Sequence, residues 1–330
     1  MTQGNASWSP TSNLDIFNRK LVELEKLYLA FLQKEVPLHD LRNSQVLKQV
    51  FDLIDLDPWQ AFLFTRIKSS HAMTPRHGIN VMLVCRVWCS LHHRLGDRLD
   101  DFCFAALVHD AGHWFSGDLV YVFGRYRFDQ AEALRDHCLN LDWGTETLSA
   151  EMKDWILNHH ENHDGSGYPN RRTNPPLLAQ ILHLVDCFEG LTTKRHFRPA
   201  LSQAEAMQRL NKWTPYKFHP GLMKSWNQFL GTYPPGTAMI RTSSEISVVI
   251  PGGDGANDFS ELILTNKLGD EGEESVVPLD LANIKSETVP YFQPPLPEAW
   301  KPLRPDTMEL PRNYEEPNGE ESPPDSPHET

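Results

Sequence analysis

The sequence lacks the features of disulfide-rich, membrane-spanning and secreted proteins. Its five cysteines form no CxxC pair and no regular spacing, which predicts reduced thiols in a hydrophobic core. No apolar run approaches the roughly 18–20 residues that span a bilayer, and the nearest one, residues 81–89, is interrupted by Arg86. No basic flank precedes an apolar stretch near residue 1, so we expect no signal peptide and predict a cytoplasmic location.

Basic charge is also scarce. The chain of 330 residues has 31 Lys and Arg against 44 Asp and Glu, a net charge of -13. Duplex nucleic acid requires a broad basic surface, so binding to it is not expected. A small anionic ligand remains compatible with this composition, because a metal ion and a few arginines can reverse the field locally.

Two-residue alternation is almost absent between residues 58 and 230, where apolar residues recur at spacings of three and four. That periodicity is typical of helices, so the segment predicts an all-α domain. A helix stop is predicted at Gly96 and a capping box at Ser202 with Glu205. The predicted helices are 15–33, 46–56, 77–95, 101–109, 130–139, 149–159, 177–191 and 203–211.

The pattern changes after residue 230. The turn signal Tyr233-Pro234-Pro235-Gly236 precedes β-branched stretches at 238–250, 261–265 and 275–279, which predict three to five short strands. From Pro290 on, proline and acidic residues dominate, and such a segment buries too little apolar surface to order itself. The predicted fold is mainly α, with a helical N-terminal region 1–57, a helical domain 58–230, a small β module 231–289 and a disordered tail 290–330.

Histidines and carboxylates lie at the ends of, or within, the predicted apolar helices. A buried carboxylate is costly unless it is paired or binds a metal, so several such groups predict a shared ion. Imidazole and carboxylate ligands suit Fe, Mn, Zn or Ni. Each group alone has an ordinary alternative, such as a hydrogen-bonded pair, a helix cap or a salt bridge. The residues are His77, His109-Asp110, His159-His160-Glu161 and Asp186.

The combination of these residues with the run that follows His160 resembles a known family. His77, His109-Asp110 and Asp186 resemble the four-ligand pattern of the HD phosphohydrolase superfamily, and the run 159–169, HHENHDGSGYP, is similar to the signature of its HD-GYP branch. The similarity covers roughly residues 58–230. It implies an HD-domain helical bundle with a two- or three-metal centre. It also implies phosphodiesterase activity on cyclic di-GMP or a related cyclic dinucleotide.

The resemblance also implies a role for individual residues. The expected reaction is attack of a metal-bound hydroxide on phosphorus, with Asp110 bridging the two metals and His113 available to protonate the leaving ribose oxygen. Glu161 has two open interpretations, an orienter of a ligand histidine or a charge at a helix end. The expected ligands are His77, His109, Asp110 and Asp186 for one metal, and Asp110, His159 and His160 for the second. The expected substrate-binding residues are Arg195, Arg198, Gly165, Gly167 and Tyr168.

The sequence departs from the family pattern at three positions. His113 stands where the family has a lysine, and Met73 stands where a glutamate accompanies a third metal, so two divalent ions are expected. The histidine normally found between the two motifs is missing from the segment 126–134, and His137 nearby is interpreted as a surface histidine, with a displaced ligand as the alternative.

These departures keep three functions open. The first is an active cyclic-dinucleotide phosphodiesterase. The second is a degenerate domain that binds nucleotide or a protein partner without turnover. The third is an HD phosphohydrolase acting on another phosphoester. Control is expected to come from residues 1–57, from the β module or from a partner protein.

Overall fold

The computed structural model describes residues 13–68, 75–93, 95–115, 134–140, 144, 147–194, 199–251, 259–265, 271–278 and 284–287. The predictions for Met73, Arg195, Arg198 and the tail 290–330 lie outside these residues. Most of the segment 126–134 also lies outside them.

Helices form the larger part of the described chain, up to residue 230. A three-residue 3-10 helix, Asp136–Cys138, lies between α7 and α8. The helices are α1 (Asn13–Leu32), α2 (Leu38–Arg42), α3 (Gln45–Leu56), α4 (Pro58–Phe64), α5 (Pro75–His92), α6 (Arg98–Val108), α7 (Ala111–Phe115), α8 (Ala150–Leu157), α9 (Leu177–Leu191), α10 (Gln203–Lys212) and α11 (Pro220–Leu230).

Helix α5 is the centre of the bundle. It is buried on all sides from Pro75 to Cys89, as expected of a helix that is apolar nearly all round, and it packs against α4, α6 and α9. Its charged Arg86 is buried and paired: it donates to Asp55 at 2.9 and 2.6 Å and to Asp100 at 2.6 Å. Because α5 packs against α6 and α9, its first turn lies inside the core, beside α9 and the end of α6.

The mainly helical prediction is confirmed, with differences at particular helix ends. The predicted helix 177–191 matches α9, and the capping box of Ser202 and Glu205 is present at the start of α10. The described part of the predicted helix 130–139 is helical from residue 134 to 138, but its last three residues form a 3-10 helix instead of an α-helix. The predicted helix 149–159 already ends at Leu157, so the two histidines that follow lie in a turn.

The small β module is also confirmed. Its strands are β1 (Ala238–Arg241), β2 (Ile246–Pro251), β3 (Phe259–Thr265), β4 (Glu271–Pro278) and β5 (Ile284–Glu287). They form an antiparallel sheet in the order β4-β3-β2-β1-β5. The stretch 238–250 is thus two strands of a hairpin, with Ala238 opposite Val248.

Aromatic side chains join the sheet to the helices. The Trp59 ring on α4 stacks on Phe229 of α11 at 5.3 Å and meets Phe259 of β3 edge-on at 5.5 Å. Thr237 donates a hydrogen bond to Gln203 at 3.0 Å. Within the described ranges, no helix is long and apolar enough to cross a membrane.

Candidate metal centre

His77, in the first turn of α5, is held between carboxylates. Its Nδ1 lies 2.6 Å from Oε2 of Glu189 on α9, and its Nε2 lies 3.1 Å from Oδ1 of Asp186 and 3.4 Å from Oδ2 of Asp110. Burial disfavours the charged imidazole, but the three carboxylates outweigh it and raise the pKa of His77 well above its usual value. Glu189 thus orients His77 so that Nε2 faces the two aspartates.

Asp110 lies between two sets of histidines. Its Oδ2 faces His77, whereas its Oδ1 lies 3.5 Å from Nε2 of His109, 3.3 Å from Nε2 of His137 and 3.5 Å from Nε2 of His159. Burial would raise the pKa of this carboxyl, but the charge of His109 and the nearby imidazoles of His137, His159 and His77 hold it well below its usual value. A carboxylate whose two oxygens face different donors has the geometry to bridge two ions.

The candidate ligands among the described residues form three sets, and within each set the ligand atoms lie within 4.8 Å of one another. The first group is His77, His109, Asp110 and Asp186, and the second group is His137, Cys138, His159 and His160. A smaller third set, Asp110, His113 and His137, joins the two groups.

The interpretation of His137 as a surface histidine is wrong. Its side chain is 1% exposed, and its Nε2 lies 3.3 Å from Asp110 Oδ1 and 3.4 Å from His159 Nε2. The approach of α7 to the backbone at this point requires a glycine, because a Cβ at Gly112 would lie 2.2 Å from the carbonyl oxygen of His137. His137 therefore lies among the candidate ligands, as the alternative of a displaced ligand predicts.

Three histidines of the centre share one local arrangement. The Nδ1 of each donates to the carbonyl oxygen three residues earlier: His109 to Ala106 at 2.8 Å, and His137 to Leu134 and His159 to Ile156, both at 2.6 Å. A carbonyl can only accept, so Nδ1 carries the proton and Nε2 keeps a lone pair in the neutral ring. The three Nε2 atoms are thereby aimed at Asp110.

Within the described part of the chain, Nε2 of His109 and Oδ1 of Asp110 are buried at this point without a hydrogen-bond partner. An unpaired buried acceptor is costly, and lone pairs of imidazoles beside a carboxylate repel one another. A divalent cation would satisfy both atoms at once. The donor set, imidazole nitrogens and carboxylate oxygens, fits the Fe, Mn or Zn class that the sequence predicts.

His160 forms one wall of the second group. Its ring lies 4.0 Å from the His159 ring and stacks on Tyr168 at 4.6 Å, while the guanidinium of Arg135 lies 5.4 Å from the Tyr168 ring centre. Burial, together with the charges of His159 and His137, lowers the pKa of His160 well below its usual value. The structure thus brings Tyr168 to the edge of the centre, as the sequence predicts.

The loop with Gly165 and Gly167 closes against the same turn. Gly165 has a positive φ of 82°, and a Cβ at Gly167 would lie 2.4 Å from the carbonyl oxygen of His160.

Glu161 fits neither of its two interpretations. It is fully buried, and its oxygens accept from the backbone N–H of Asn170 at 2.6 Å and of Arg172 at 3.0 Å. Glu161 therefore holds the loop in place, whereas Glu189 orients a histidine.

His113 lies within the centre. Its ring stacks on His137 at 3.7 Å, and its Nε2 lies 3.8 Å from Asp110 Oδ1. Burial, followed by the charge of His137, lowers the pKa of His113 to about 3. A neutral imidazole is a weak proton donor, and the role of His113 in protonating the leaving oxygen stays a prediction.

The sequence predictions omit Glu189 and give a ligand role to His137 only as an alternative. The distance of His137 from the family position favours a surface histidine, although its neighbours Leu134 and Cys138 are apolar and both are buried. Glu189 follows Asp186 on the same helix and could have been found as a carboxylate within an otherwise apolar segment. Arg195 and Arg198 lie outside the described residues, and their role stays a prediction.

Comparison with known proteins agrees with this site. A family model described as an HD domain matches residues 136–220, which include His137, His159, His160 and Asp186. The chain is 27% identical over 196 residues to the cyclic di-GMP phosphodiesterase PA4108 of Pseudomonas aeruginosa, covering 56% of this chain and 46% of that protein. It is 24% identical over 229 residues to the 3'3'-cGAMP-specific phosphodiesterase 2 of Vibrio cholerae, covering 65% and 42%.

The chain spans less than half the length of these two curated relatives. Among solved structures, it is similar to Bd1817, an HDG"Y"P protein from Bdellovibrio bacteriovorus, with a TM-score of 0.48 and 16% identity over 68% of this chain and 74% of that one. Residues 136–220 therefore match the HD-domain family, and the chain is similar to relatives named as cyclic-dinucleotide phosphodiesterases.

Proposed function

We propose that this protein is a metal-dependent phosphodiesterase that hydrolyses a cyclic dinucleotide, with cyclic di-GMP as the expected substrate. The observation that carries the proposal is the position of Asp110, whose Oδ2 faces His77 of the first group and whose Oδ1 lies between His109 of the first group and His137 and His159 of the second. Paired metal sites bridged by one carboxylate are typical of enzymes that cleave phosphoesters. The two relatives described above act on cyclic dinucleotides according to their names.

The residues have distinct roles in this proposal. The first group would hold one ion, and His137, His159 and His160, together with Asp110, would hold a second. When bound, the ions lower the pKa of water and offset negative charge on phosphoryl oxygens. Tyr168 and Arg135 lie at the edge of the second group, where an aromatic ring and a guanidinium can contact a base or a phosphate. Arg195 and Arg198 would bind the substrate phosphates.

The test is turnover by anaerobically purified protein. Loaded with Mn²⁺ or Fe²⁺, it should convert cyclic di-GMP to a linear product, and 3'3'-cGAMP should be assayed in parallel. The Asp110→Ala variant should be inactive. Absence of turnover of either dinucleotide by protein with two bound ions would refute the proposal.

One observation favours the alternative of a domain that binds without turnover. His113 replaces a lysine, and burial keeps it neutral, so this side of the centre lacks a fixed positive charge. The protein with His113 separates the two functions, because an enzyme should hydrolyse the dinucleotide, whereas a binding domain should bind it and show no turnover. Turnover that appears only in the His113→Lys variant would favour the binding domain.

A further inference from the structure

Cys138 lies inside the second group, although neither the sequence analysis nor the proposed function uses it. It is the last residue of the 3-10 helix and is fully buried. Its Sγ lies 3.4 Å from Nε2 and 4.0 Å from Nδ1 of His137, and 3.9 Å from Nδ1 of His159. The thiol therefore lies beside both imidazoles, within the 4.8 Å that separates the ligand atoms of the second group.

The separations around His137 match those expected of atoms that share one ion. Its Nε2 lies 3.3 Å from Asp110 Oδ1, 3.4 Å from His159 Nε2 and 3.4 Å from Cys138 Sγ. Donors at about 2.0–2.3 Å from a transition metal lie roughly 3.0–3.6 Å from one another. Sγ fits this range as well as the oxygen and nitrogen atoms do.

The other cysteines differ from Cys138 in their surroundings. All five are free thiols, and Cys138 is the one that belongs to a set of candidate ligands in the described chain. Cys85, Cys89 and Cys103 are fully buried in the helical core of α5 and α6. A core thiol needs no polar neighbours, whereas Cys138 faces two imidazoles that are themselves directed at Asp110.

We propose that Cys138 supplies a thiolate ligand to the ion held by His137 and His159. This inference rests on the metal centre of the proposed function and adds a soft donor to it. On binding, the thiol gives up its proton to solvent and Sγ forms a bond to the ion. A thiolate favours Zn²⁺, Fe²⁺ or Co²⁺ over Mn²⁺ or Mg²⁺ at this position, while the first group, with nitrogen and oxygen donors alone, has no such preference.

The test is cobalt titration of the metal-free full-length protein, followed by absorption spectroscopy. A thiolate bonded to Co²⁺ gives a charge-transfer band in the near ultraviolet that nitrogen and oxygen ligands do not give. We expect the band in the wild type and in the control Cys103→Ser, which removes a buried thiol outside the group. We expect no band in Cys138→Ser, and a loss of affinity for one of two ions of at least about tenfold.

Two results would overturn the inference: a cobalt-loaded wild type without the band, or a band that persists in Cys138→Ser. The wild-type spectrum decides the matter even if the variant does not fold, and Cys138→Ala with circular dichroism identifies that case. Turnover is not the readout. A protein with the band that hydrolyses no cyclic dinucleotide would refute the proposed function and leave the thiolate ligand standing.

Discussion

The two ligand groups are built on different kinds of backbone. In the first group, His77 and Asp186 project from α5 and α9, long helices packed together in the core, and His109 directly follows α6. In the second group, His137 lies on a three-residue 3-10 helix, and His159 lies in the turn after α8. The first group is held by helix packing, and the second by short-range hydrogen bonds.

This difference predicts how each group responds to loss of its ion. Packed helices keep their side chains in place without a ligand, so the first group should be largely preformed. A turn held by local hydrogen bonds gains more of its order from the ion itself, because metal binding is coupled to folding where the site is not preformed. The second ion should therefore bind more weakly and leave first under a chelator.

The largest effect is expected from Asp110→Ala, because Asp110 belongs to both sides of the centre. We expect the metal content to fall from about two ions per chain to below one, and turnover to fall at least about a thousandfold. Metal analysis and a dinucleotide assay measure the two effects. Asp154→Ala is the control, since this half-exposed carboxylate of α8 pairs with Arg172 instead. If Asp110→Ala retained two ions per chain, Asp110 would not be a ligand that both ions share.

His137→Ala should weaken the second group and leave the first group unchanged. It removes a donor from the second group alone, so we expect about one ion per chain to remain, with turnover reduced about a hundredfold or more. His39→Ala is a matched control, because His39 is an exposed histidine beside Asp40. If His137→Ala keeps both ions with unchanged affinity, the placement of His137 in the second group is wrong.

The sequence predicts the first group better than the second because the residues of the first group lie on or directly after long regular helices. Regular helices give periodic apolar residues, so His77 and Asp186 could be placed inside the core from the pattern alone. His137 could not, because a helix predicted over 130–139 gives its side chain a different direction from that of the 3-10 helix present there. The role of Glu161 could not be predicted either, since its partners are backbone N–H groups nine and eleven residues further on.

Glu189→Gln tests whether the first group depends on the orientation of His77. The amide keeps the size of the side chain but loses the charge that holds the imidazole Nδ1 at 2.6 Å. We expect the affinity of the first ion to fall about 10- to 100-fold, with the second ion changed much less. Chelator competition resolved for the two ions measures this, and Glu151→Gln, an exposed carboxylate paired with Arg98, is the control.

A purely structural role for Glu189 would give a different result. Glu189 also accepts from Lys68 and Asn80, so the free energy of unfolding of the metal-free protein is measured alongside. Equal weakening of both ions, in proportion to the loss of stability, would show that Glu189 supports the fold and does not specifically position His77.

The smallest effect on the metals is expected from Glu161→Gln. Its amide nitrogen would face a backbone N–H where a carboxylate oxygen now accepts, which costs about 1–3 kcal/mol in the free energy of unfolding. The loop with Gly165 and Tyr168 would loosen, so the KM for the dinucleotide should rise a few-fold while both ions remain bound. Denaturant unfolding and steady-state kinetics measure these changes, and Asp164→Asn, at an exposed turn, is the control. Loss of the second ion in Glu161→Gln would instead mean that the loop, and not only the local hydrogen bonds of His137 and His159, holds the second group together.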